Sequence, residues 1–462
     1  MRTLIFSIAI LWSVTQVFCQ QKEYSVWYFG YWAGLDFTSG SPVELLDGEN
    51  WNTEGVASIA DKNGDILFYT NGIAVWNADH DTLPNGDSLG GGQSSTQSAF
   101  LIPQPEDTTK YYLFTANYPG ASGYPLYGLR YSVIDRTLDG GKGDIVPGTK
   151  NTLVTDSIGE KLYATRHGNG TDYWIVVQKV FSNEFHAYQL NSTGLNPVPE
   201  TSNKGVVANY VQGMGYLKFS LDGSLMACAH TGIDTVVEVF SFNNNTGAIS
   251  DPIVTIPVKR GAFGAYGPYG VEFSPDNSRL YVTAISGKKL LQYDLNAGTP
   301  ANIINSKFEV FTSGGEWAGA VQIAPDNKIY VTWKDDLNLG VINNPNDLGA
   351  ACNYDDAGVT LSNTCGWGLP PYILLNDNPM PVELADFSGW NESGNNHLQW
   401  TTASETNNDF FTLERSPDGE HFSAAAVISV AGNANTATTY QYTDENPLAG
   451  INYYRLKQTD FN

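Results

Sequence analysis

The sequence predicts an all-β protein, a seven-bladed β-propeller followed by an incomplete β-sandwich. Three observations predict the propeller: a recurring turn phrase, a spacing of about fifty residues between copies, and short apolar strands around each copy. The copies stand at 220–223 (Ser-Leu-Asp-Gly), 274–277 (Ser-Pro-Asp-Asn) and 324–327 (Ala-Pro-Asp-Asn). Asp-Gly and Asp-Asn pairs tolerate the positive φ at which two strands reverse. Each copy is therefore interpreted as the hairpin turn of one blade.

Strand patterns along residues 24–376 predict six complete blades. Their predicted strands are 56–60, 66–70 and 73–76; 99–102, 111–115 and 129–135; 162–166, 173–178 and 185–190; 216–219, 224–229 and 236–242; 271–273, 279–284 and 290–295; 321–323, 328–333 and 339–342. Two strand groups are left over, at 27–37 and 369–375. Pairing them closes the ring and covers exposed strand edges, which gives a seventh blade. Six or eight blades are the alternatives.

The sequence after the predicted linker at 377–381 changes to longer alternating strands. Six of them, at 383–389, 397–402, 410–416, 424–430, 439–444 and 452–458, predict a β-sandwich of immunoglobulin or fibronectin type III style over 382–462. Such a sandwich uses seven strands. The sequence is therefore expected to be truncated at Asn462, and the natural gene to continue into a last strand and a sorting domain.

The first nineteen residues have the pattern of a secretory signal peptide. Arg2 precedes an apolar stretch at 4–14, and cleavage is expected near Cys19. No later stretch is apolar for long enough to span a bilayer, so no transmembrane segment is expected in the mature chain. These features predict a secreted protein or one on the outer cell surface.

The formal net charge of −24 narrows the range of partners. So acidic a surface repels phosphate backbones and anionic lipids, which disfavours nucleic acids and membrane surfaces as ligands. A glycan or a surface protein stays open as the partner.

Candidate ligand-binding residues stand where the innermost strands of a propeller begin, because these positions converge at the mouth of the central channel. They are Glu54, Gln97, Glu160, Tyr216, Tyr269, Glu316 and Trp317. Carboxylates among aromatic rings can hold a sugar or a cation. In the alternative interpretation the carboxylates cap strand ends, and the aromatic rings pack against one another inside the mouth of the central channel.

The chemistry of these residues leaves two functions open. The favoured one is a non-enzymatic recognition or adhesion protein that binds a polymer or protein partner through the propeller face. The alternative is a hydrolase or lyase acting on a polysaccharide or lactone, since paired carboxylates such as Glu54 and Glu160 catalyse glycoside hydrolysis at a suitable separation. No catalytic residue is assigned.

Neither the cysteines nor the acidic turns predict a metal or cofactor. Cys352 and Cys365 flank an acidic loop, and in an exported protein they are expected to form a disulfide. The turn at 61–65 superficially resembles a calcium loop, but Ile66 replaces the expected glycine and no glutamate closes it. Calcium therefore has no supporting motif.

Several motifs resemble a family of secreted Bacteroidota β-propellers of the YVTN-like type, often tied to gliding motility or type IX secretion. They include 27–30 (Trp-Tyr-Phe-Gly), 33–37 (Ala-Gly-Leu-Asp-Phe), 67–72 (Leu-Phe-Tyr-Thr-Asn-Gly) and 269–274 (Tyr-Gly-Val-Glu-Phe-Ser). The segments 381–384, 400–408, 413–416 and 453–458 are similar to the fibronectin type III-like module that commonly precedes a type IX sorting domain. The resemblance implies export by a type IX-like route, with the secretion machinery as partner, and implies no particular reaction.

Overall fold

The computed structural model describes residues 22–117, 127–209, 213–232, 235–258, 267–285, 287–373, 383–419, 421–434 and 438–460. The predicted signal peptide at 1–19 and the linker at 377–381 lie outside these residues. The chain divides into two compact units, with the boundary between Leu375 and Asn376. The predicted all-β class is confirmed, since the described residues contain many antiparallel strands and one six-residue α-helix.

The described part of the first unit contains seven antiparallel sheets that follow one another along the chain. The first sheet has β1 (Val26–Phe29), β2 (Ala33–Asp36) and β3 (Val43–Leu45). The second has β4 (Ala57–Ala60), β5 (Ile66–Thr70) and β6 (Val75–Trp76). The third has β7 (Ala99–Pro103), β8 (Lys110–Asn117) and β9 (Gly128–Asp135), with β10 (Asp144–Ile145) and β11 (Thr152–Thr155) both paired to β9.

The remaining four sheets have four or five strands each. The fourth has β12 (Ile158–Arg166), β13 (Tyr173–Lys179) and β14 (Ser182–Asn191), with β15 (Gly194–Leu195) and β16 (Glu200–Ala208) both paired to β14. The fifth has β17 (Leu217–Phe219), β18 (Leu225–His230), β19 (Val236–Asn243) and β20 (Ala248–Pro257). The sixth has β21 (Pro268–Phe273), β22 (Arg279–Ala284), β23 (Lys289–Asp294) and, after helix α1 (Pro300–Asn305), β24 (Phe308–Thr312). The seventh has β25 (Ala318–Ile323), β26 (Ile329–Trp333), β27 (Asn338–Ile342) and β28 (Tyr354–Thr360).

The recurring phrase forms the predicted hairpin turns between the first two strands of the fifth, sixth and seventh sheets. In each turn an aspartate side chain accepts the backbone N–H two residues later: Asp222 from Ser224, Asp276 from Ser278, and Asp326 from Lys328. The next residue has positive φ, 69° at Gly223 and 61° at both Asn277 and Asn327. These residue types are required because few others adopt that conformation without strain.

Hydrogen bonds, all but one of them between backbone groups, link the second to the seventh sheet into a closed circuit near the leading ends of the inner strands. They join Gly55 N to Ser95 O, Gln97 N to Glu160 O, Glu160 N to Gly213 O, Tyr216 N to Tyr269 O, Ala320 N to Trp367 O, and Trp367 N to Thr53 O. The sixth and seventh sheets are joined by the Thr283 hydroxyl, which donates to Gly319 O at 2.6 Å. Because the circuit returns to the second sheet through Trp367, the first unit has the ring arrangement of a β-propeller.

The first region predicted to close the ring, 27–37, contacts residues 363–364, which precede the second predicted region, 369–375. Tyr31 N donates to Thr364 O at 3.1 Å, and the Asn363 amide donates to Trp32 O at 2.9 Å. The prediction of a strand at 369–375 is wrong for its described part, since 369–373 forms no strand. Pro370 lies in this stretch and is followed by a second proline, and neither has an N–H to donate to a ladder.

The predicted disulfide is also wrong, because Cys352 and Cys365 are free thiols. Both are buried, but they belong to different hydrophobic clusters. The Cys365 thiol donates to Trp333 O, with the two atoms 3.2 Å apart. Burial raises the pKa of Cys365 to about 12, so its reactive thiolate is scarce at neutral pH.

The second unit contains β29 (Glu383–Glu392), β30 (Asn395–Ser416), β31 (Ser423–Ala434), β32 (Thr438–Asp444) and β33 (Tyr453–Asp460). The strands predicted at 397–402 and 410–416 are in fact one strand, β30. Its first part pairs with β29 and β32, and its second part with β31 and β33. Trp400 in the first part packs edge-to-face on Phe411 in the second, with ring centroids 5.8 Å apart. An immunoglobulin or fibronectin type for this unit stays a prediction.

Among the described residues, no helix is both long and apolar enough to cross a membrane.

Candidate ligand-binding face

Five of the seven predicted ligand-binding residues are buried inside the ring. Glu54, Gln97, Glu160, Tyr216 and Tyr269 each expose 6% or less of their surface. Glu316 and Trp317 are exposed, the indole to 41%. The end of the ring where the inner strands begin is called the upper face below, and Trp317 lies on it just before β25.

Glu160 is held by backbone and side-chain donors from the loop that leads into β7. Its Oε2 accepts the Thr96 N–H at 3.0 Å and the Thr96 hydroxyl at 2.8 Å. Burial nevertheless raises the pKa of Glu160, because removal from water disfavours the charged carboxylate more than these bonds favour it.

Glu54 lies close enough to Glu160 for the two carboxyl groups to influence each other. The Ser94 hydroxyl donates weakly to Glu54 Oε1 at 3.4 Å. Burial, and secondarily the negative charge of Glu160, raise the pKa of Glu54 well above its ordinary value. A buried carboxyl under these conditions favours its neutral form.

Gln97 and the two tyrosines tie sheets of the ring together. The Gln97 amide donates to Leu217 O at 2.9 Å and accepts the Leu217 N–H at 2.8 Å, so it links the third sheet to the fifth. Tyr216 and Tyr269 pack edge-to-face with centroids 5.4 Å apart. These contacts favour the structural interpretation for the buried members of the predicted set.

A second buried polar cluster was missed by the sequence analysis. Lys218 Nζ lies 2.9 Å from Glu272 Oε2, and Lys218 also donates to the Gln322 side chain. Glu272 Oε2 accepts the Ile323 N–H at 3.0 Å, and the Lys218 ammonium lies 5.1 Å from the centre of the Tyr163 ring. Burial lowers the pKa of Lys218.

A sequence signal for this cluster does exist. Lys218 stands two residues before Ser220 of one turn phrase, and Glu272 stands two residues before Ser274 of the next. Charges of opposite sign at equivalent positions of successive apolar strands indicate an ion pair between neighbouring sheets.

The centre of the ring is filled by the chain itself. Residues 369–373 run among the inner strands, where the Tyr163 hydroxyl donates to Tyr372 O at 2.8 Å. One small cavity beside this segment is lined by Gln97, Tyr216 and Gln322, from three different sheets, together with Leu369 and Pro371. Within the described part of the chain, Glu54 and Glu160 are therefore not on an open surface, since each exposes 4% of its area.

Three exposed tryptophans lie at or beside the ring-closing residues 363–367 on the upper face. Trp32, Trp51 and Trp317 expose 46%, 46% and 41% of their surfaces. Together with Tyr31 and Trp367 they are called the upper-face aromatic surface.

Ring contacts hold two of these indoles, and a backbone hydrogen bond fixes the main chain of the third tryptophan. Trp51 packs against Tyr31 with ring centroids 5.5 Å apart, and Trp317 against Trp367 with centroids 5.8 Å apart. Trp32 N donates to Asn50 O at 2.8 Å. The sequence analysis selected only Trp317 of this set, because Trp32 and Trp51 lie outside the starts of the inner strands.

No protein-family model and no curated protein matches the sequence. Among solved structures, a proposed 6-phosphogluconolactonase from Bacteroides uniformis is 15% identical, with a TM-score of 0.46 over 73% of this chain and 97% of the other. A proposed 6-phosphogluconolactonase from Bacteroides fragilis is 14% identical, with a TM-score of 0.43 over 75% of this chain and 97% of the other. The periplasmic gluconolactonase of Pseudomonas aeruginosa is 14% identical, with a TM-score of 0.39 over 92% and 99%. Likeness at these levels carries no argument about activity.

Proposed function

We propose that this chain is an exported recognition protein that binds a neutral polysaccharide through the upper-face aromatic surface. The observation that carries the proposal is the exposure of Trp32, Trp51 and Trp317 to more than 40% each. Tryptophan is among the more deeply buried residue types on average. Three exposed indoles beside one five-residue segment are therefore a feature that calls for a ligand.

The charge and chemistry of the surface favour a carbohydrate. Indole rings offer flat apolar area with an N–H donor at the edge, which suits ligands that have both apolar faces and hydroxyls. The net charge of −24 disfavours polyanions. A neutral polysaccharide meets both conditions, and a protein partner is the alternative that the experiment below distinguishes.

The blade count and the cellular location belong to the same proposal. We infer that the seven sheets of the first unit are seven blades, with residues 366–369 completing the one that contains β1–β3. Export by a type IX-like route and a role at the outer cell surface, including adhesion, rest on the signal-like residues 1–19. They rest also on the resemblance of the second unit to modules that precede sorting domains.

The test is binding of the full chain to a panel of insoluble neutral polysaccharides, with albumin-blocked beads carrying surface protein extract as the second arm. Trp317→Ala and Trp51→Ala are each expected to weaken polysaccharide binding at least tenfold. Val198→Ala, which removes an apolar side chain that is 72% exposed elsewhere in the first unit, is the matched control. Binding to protein alone, or polysaccharide binding unchanged in both tryptophan variants, would contradict the proposal.

A turnover assay tests the alternative that the chain is an enzyme. Polysaccharide and lactone turnover is measured for the wild type, Glu54→Gln and Glu160→Gln. We expect no turnover that depends on either carboxylate, because each residue exposes only 4% of its surface. If turnover is lost in these two variants and kept in Trp317→Ala, the proposed recognition function is wrong and the chain is a hydrolase or lyase.

A further inference from the structure

The second unit presents a solvent-facing array of nine side chains on β29, β30 and β32. The strand register aligns them in three cross-strand rows: Trp390, His397 and Thr443; Ser388, Gln399 and Gln441; Asp386, Thr401 and Thr439. This array is called the polar grid. Its residues on β30 alternate with Leu398, Trp400 and Thr402, which are buried, so the grid faces away from the core.

Cross-strand hydrogen bonds order the polar grid. The Gln441 amide donates to Gln399 Oε1 at 2.9 Å, and the hydroxyls of Thr401 and Thr439 lie 3.0 Å apart. In the outer row, the Thr443 hydroxyl lies 3.0 Å from His397 Nδ1. Because these side chains are already fixed by one another, a ligand that binds them pays less in lost side-chain freedom.

Trp390 provides a flat apolar surface at one end of the grid. Its ring stacks on His397 with centroids 5.3 Å apart and an interplanar angle of 16°. The indole is nonetheless 44% exposed. One of its faces is therefore supported by the imidazole, and much of the remaining ring surface is open to solvent.

The charge of the grid decides which ligands fit it. Asp386 is its one carboxylate, and the nine residues include no lysine or arginine. Amide, hydroxyl and imidazole groups supply both donors and acceptors. A neutral polyhydroxylated ligand matches this composition, while a nucleic acid or an acidic polymer does not.

We propose that the polar grid is a second carbohydrate-binding site, specific for an extended neutral polysaccharide and separate from the upper-face aromatic surface. From strand geometry the grid measures roughly 13 Å along the strands and about 10 Å across them. A flat area of this shape accommodates a stretch of extended chain, with one sugar ring stacked on Trp390. The adjacent sugar units of the same chain hydrogen-bond to Gln399, Gln441 and the threonine hydroxyls.

The experiment uses the full chain carrying Trp51→Ala and Trp317→Ala as the parent protein. In this parent, binding by the polar grid is measured without binding by the upper-face aromatic surface. Retardation is measured by affinity electrophoresis in gels containing hydroxyethylcellulose or galactomannan. Retardation is expected to persist in this parent, to be lost with the added Trp390→Ala, and to fall at least fivefold with Gln399→Ala plus Gln441→Ala. The added Val427→Ala, at a 61% exposed apolar residue of β31, is expected to have no effect.

The outcomes separate this proposal from the proposed function. No retardation of the parent, or retardation unchanged by Trp390→Ala and by the glutamine pair, would overturn the grid as a site. If Trp317→Ala alone abolishes the binding seen for the wild type, the upper-face aromatic surface remains supported as a binding site. Thermal unfolding of each variant, expected within about 1 °C of its parent because the altered residues are on the surface, excludes loss of folding as the cause.

Discussion

Lys218 and Glu272 form an ion pair of 2.9 Å in which neither side chain exposes more than 3% of its surface. They occupy equivalent positions in the inner strands of the fifth and sixth sheets, two residues before the turn serines. The pair therefore joins neighbouring sheets at the centre of the ring. Its partners, Gln322 and the Ile323 N–H, leave the centre a bonded core instead of an open channel.

Removing one member of this pair is predicted to destabilise the first unit strongly. Lys218→Met leaves Glu272 buried without its counter-charge, which costs about 3–5 kcal/mol. Urea unfolding followed by tryptophan fluorescence measures the loss. Lys204→Met is the control, since its pair with Asp251 is solvent-exposed and such pairs contribute roughly 0–1 kcal/mol. Equal losses in the two variants would contradict the buried-pair account.

The buried carboxyl groups predict that stability falls as pH rises. The pKa of Glu54 is raised by burial and by Glu160, so the folded state holds its proton at pH values where the unfolded chain has released it. The contribution of protonated Glu54 to the free energy of unfolding is fully present below the ordinary glutamate pKa of 4.5. It is lost as pH rises through the pKa of Glu54 in the folded state. Glu54→Gln, which cannot ionise, is expected to flatten this decline between pH 5 and pH 8.

The measurement is the unfolding midpoint of wild type, Glu54→Gln and the exposed control Glu316→Gln at several pH values. The control is expected to keep the wild-type slope. A Glu54→Gln slope identical to the wild-type slope would show that Glu54 ionises as freely in the folded protein as in the unfolded chain.

Ring closure is predicted to depend on Gly368. A Cβ at this position would lie 2.0 Å from Glu54 O, a backbone atom that cannot move aside alone. Gly368→Ala is therefore expected to destabilise the ring by at least the ~1–3 kcal/mol typical of overpacking. At Gly314 an added Cβ meets no atom within 4 Å, so Gly314→Ala is the matched control. Matching thermal unfolding midpoints for the two variants would be evidence against the close approach.

The free thiols give a chemical prediction. Alkylation of the unreduced protein in denaturant, followed by peptide mass mapping, is expected to label Cys228, Cys352 and Cys365. Without denaturant, labelling is expected to be slow, because all three are buried and burial raises their pKa values. A peptide pair linked through Cys352 and Cys365 would restore the disulfide predicted from the sequence.

The sequence predicts the inner strands and the turns well because both depend on local signals. Asp222 and Gly223, for example, identify their turn without knowledge of the rest of the chain. Outer strands such as β24 and β28 were missed because they are largely exposed and lack a continuous apolar pattern. In β28, two aspartates and a glycine also oppose strand propensity.

The candidate site was only partly predictable, for a different reason. Glu54 and Glu160 do stand at the starts of inner strands, but both are buried. Gly368, from the end of the first unit, lies against the backbone of Glu54. Trp51 packs on Tyr31, and no local sequence pattern reveals this contact. The burial of Glu54 and the position of Trp51 both involve contacts with residues that are not their neighbours in the sequence.

Oxidative footprinting of tryptophans, with and without a bound neutral polysaccharide, tests the central claim most directly. The full chain is oxidised briefly, and modification at each tryptophan is quantified by mass spectrometry. The account predicts that ligand lowers oxidation of Trp32, Trp51 and Trp317 several-fold and leaves the partly exposed Trp76 unchanged. Oxidation of the three upper-face tryptophans that is the same with and without bound ligand would contradict it.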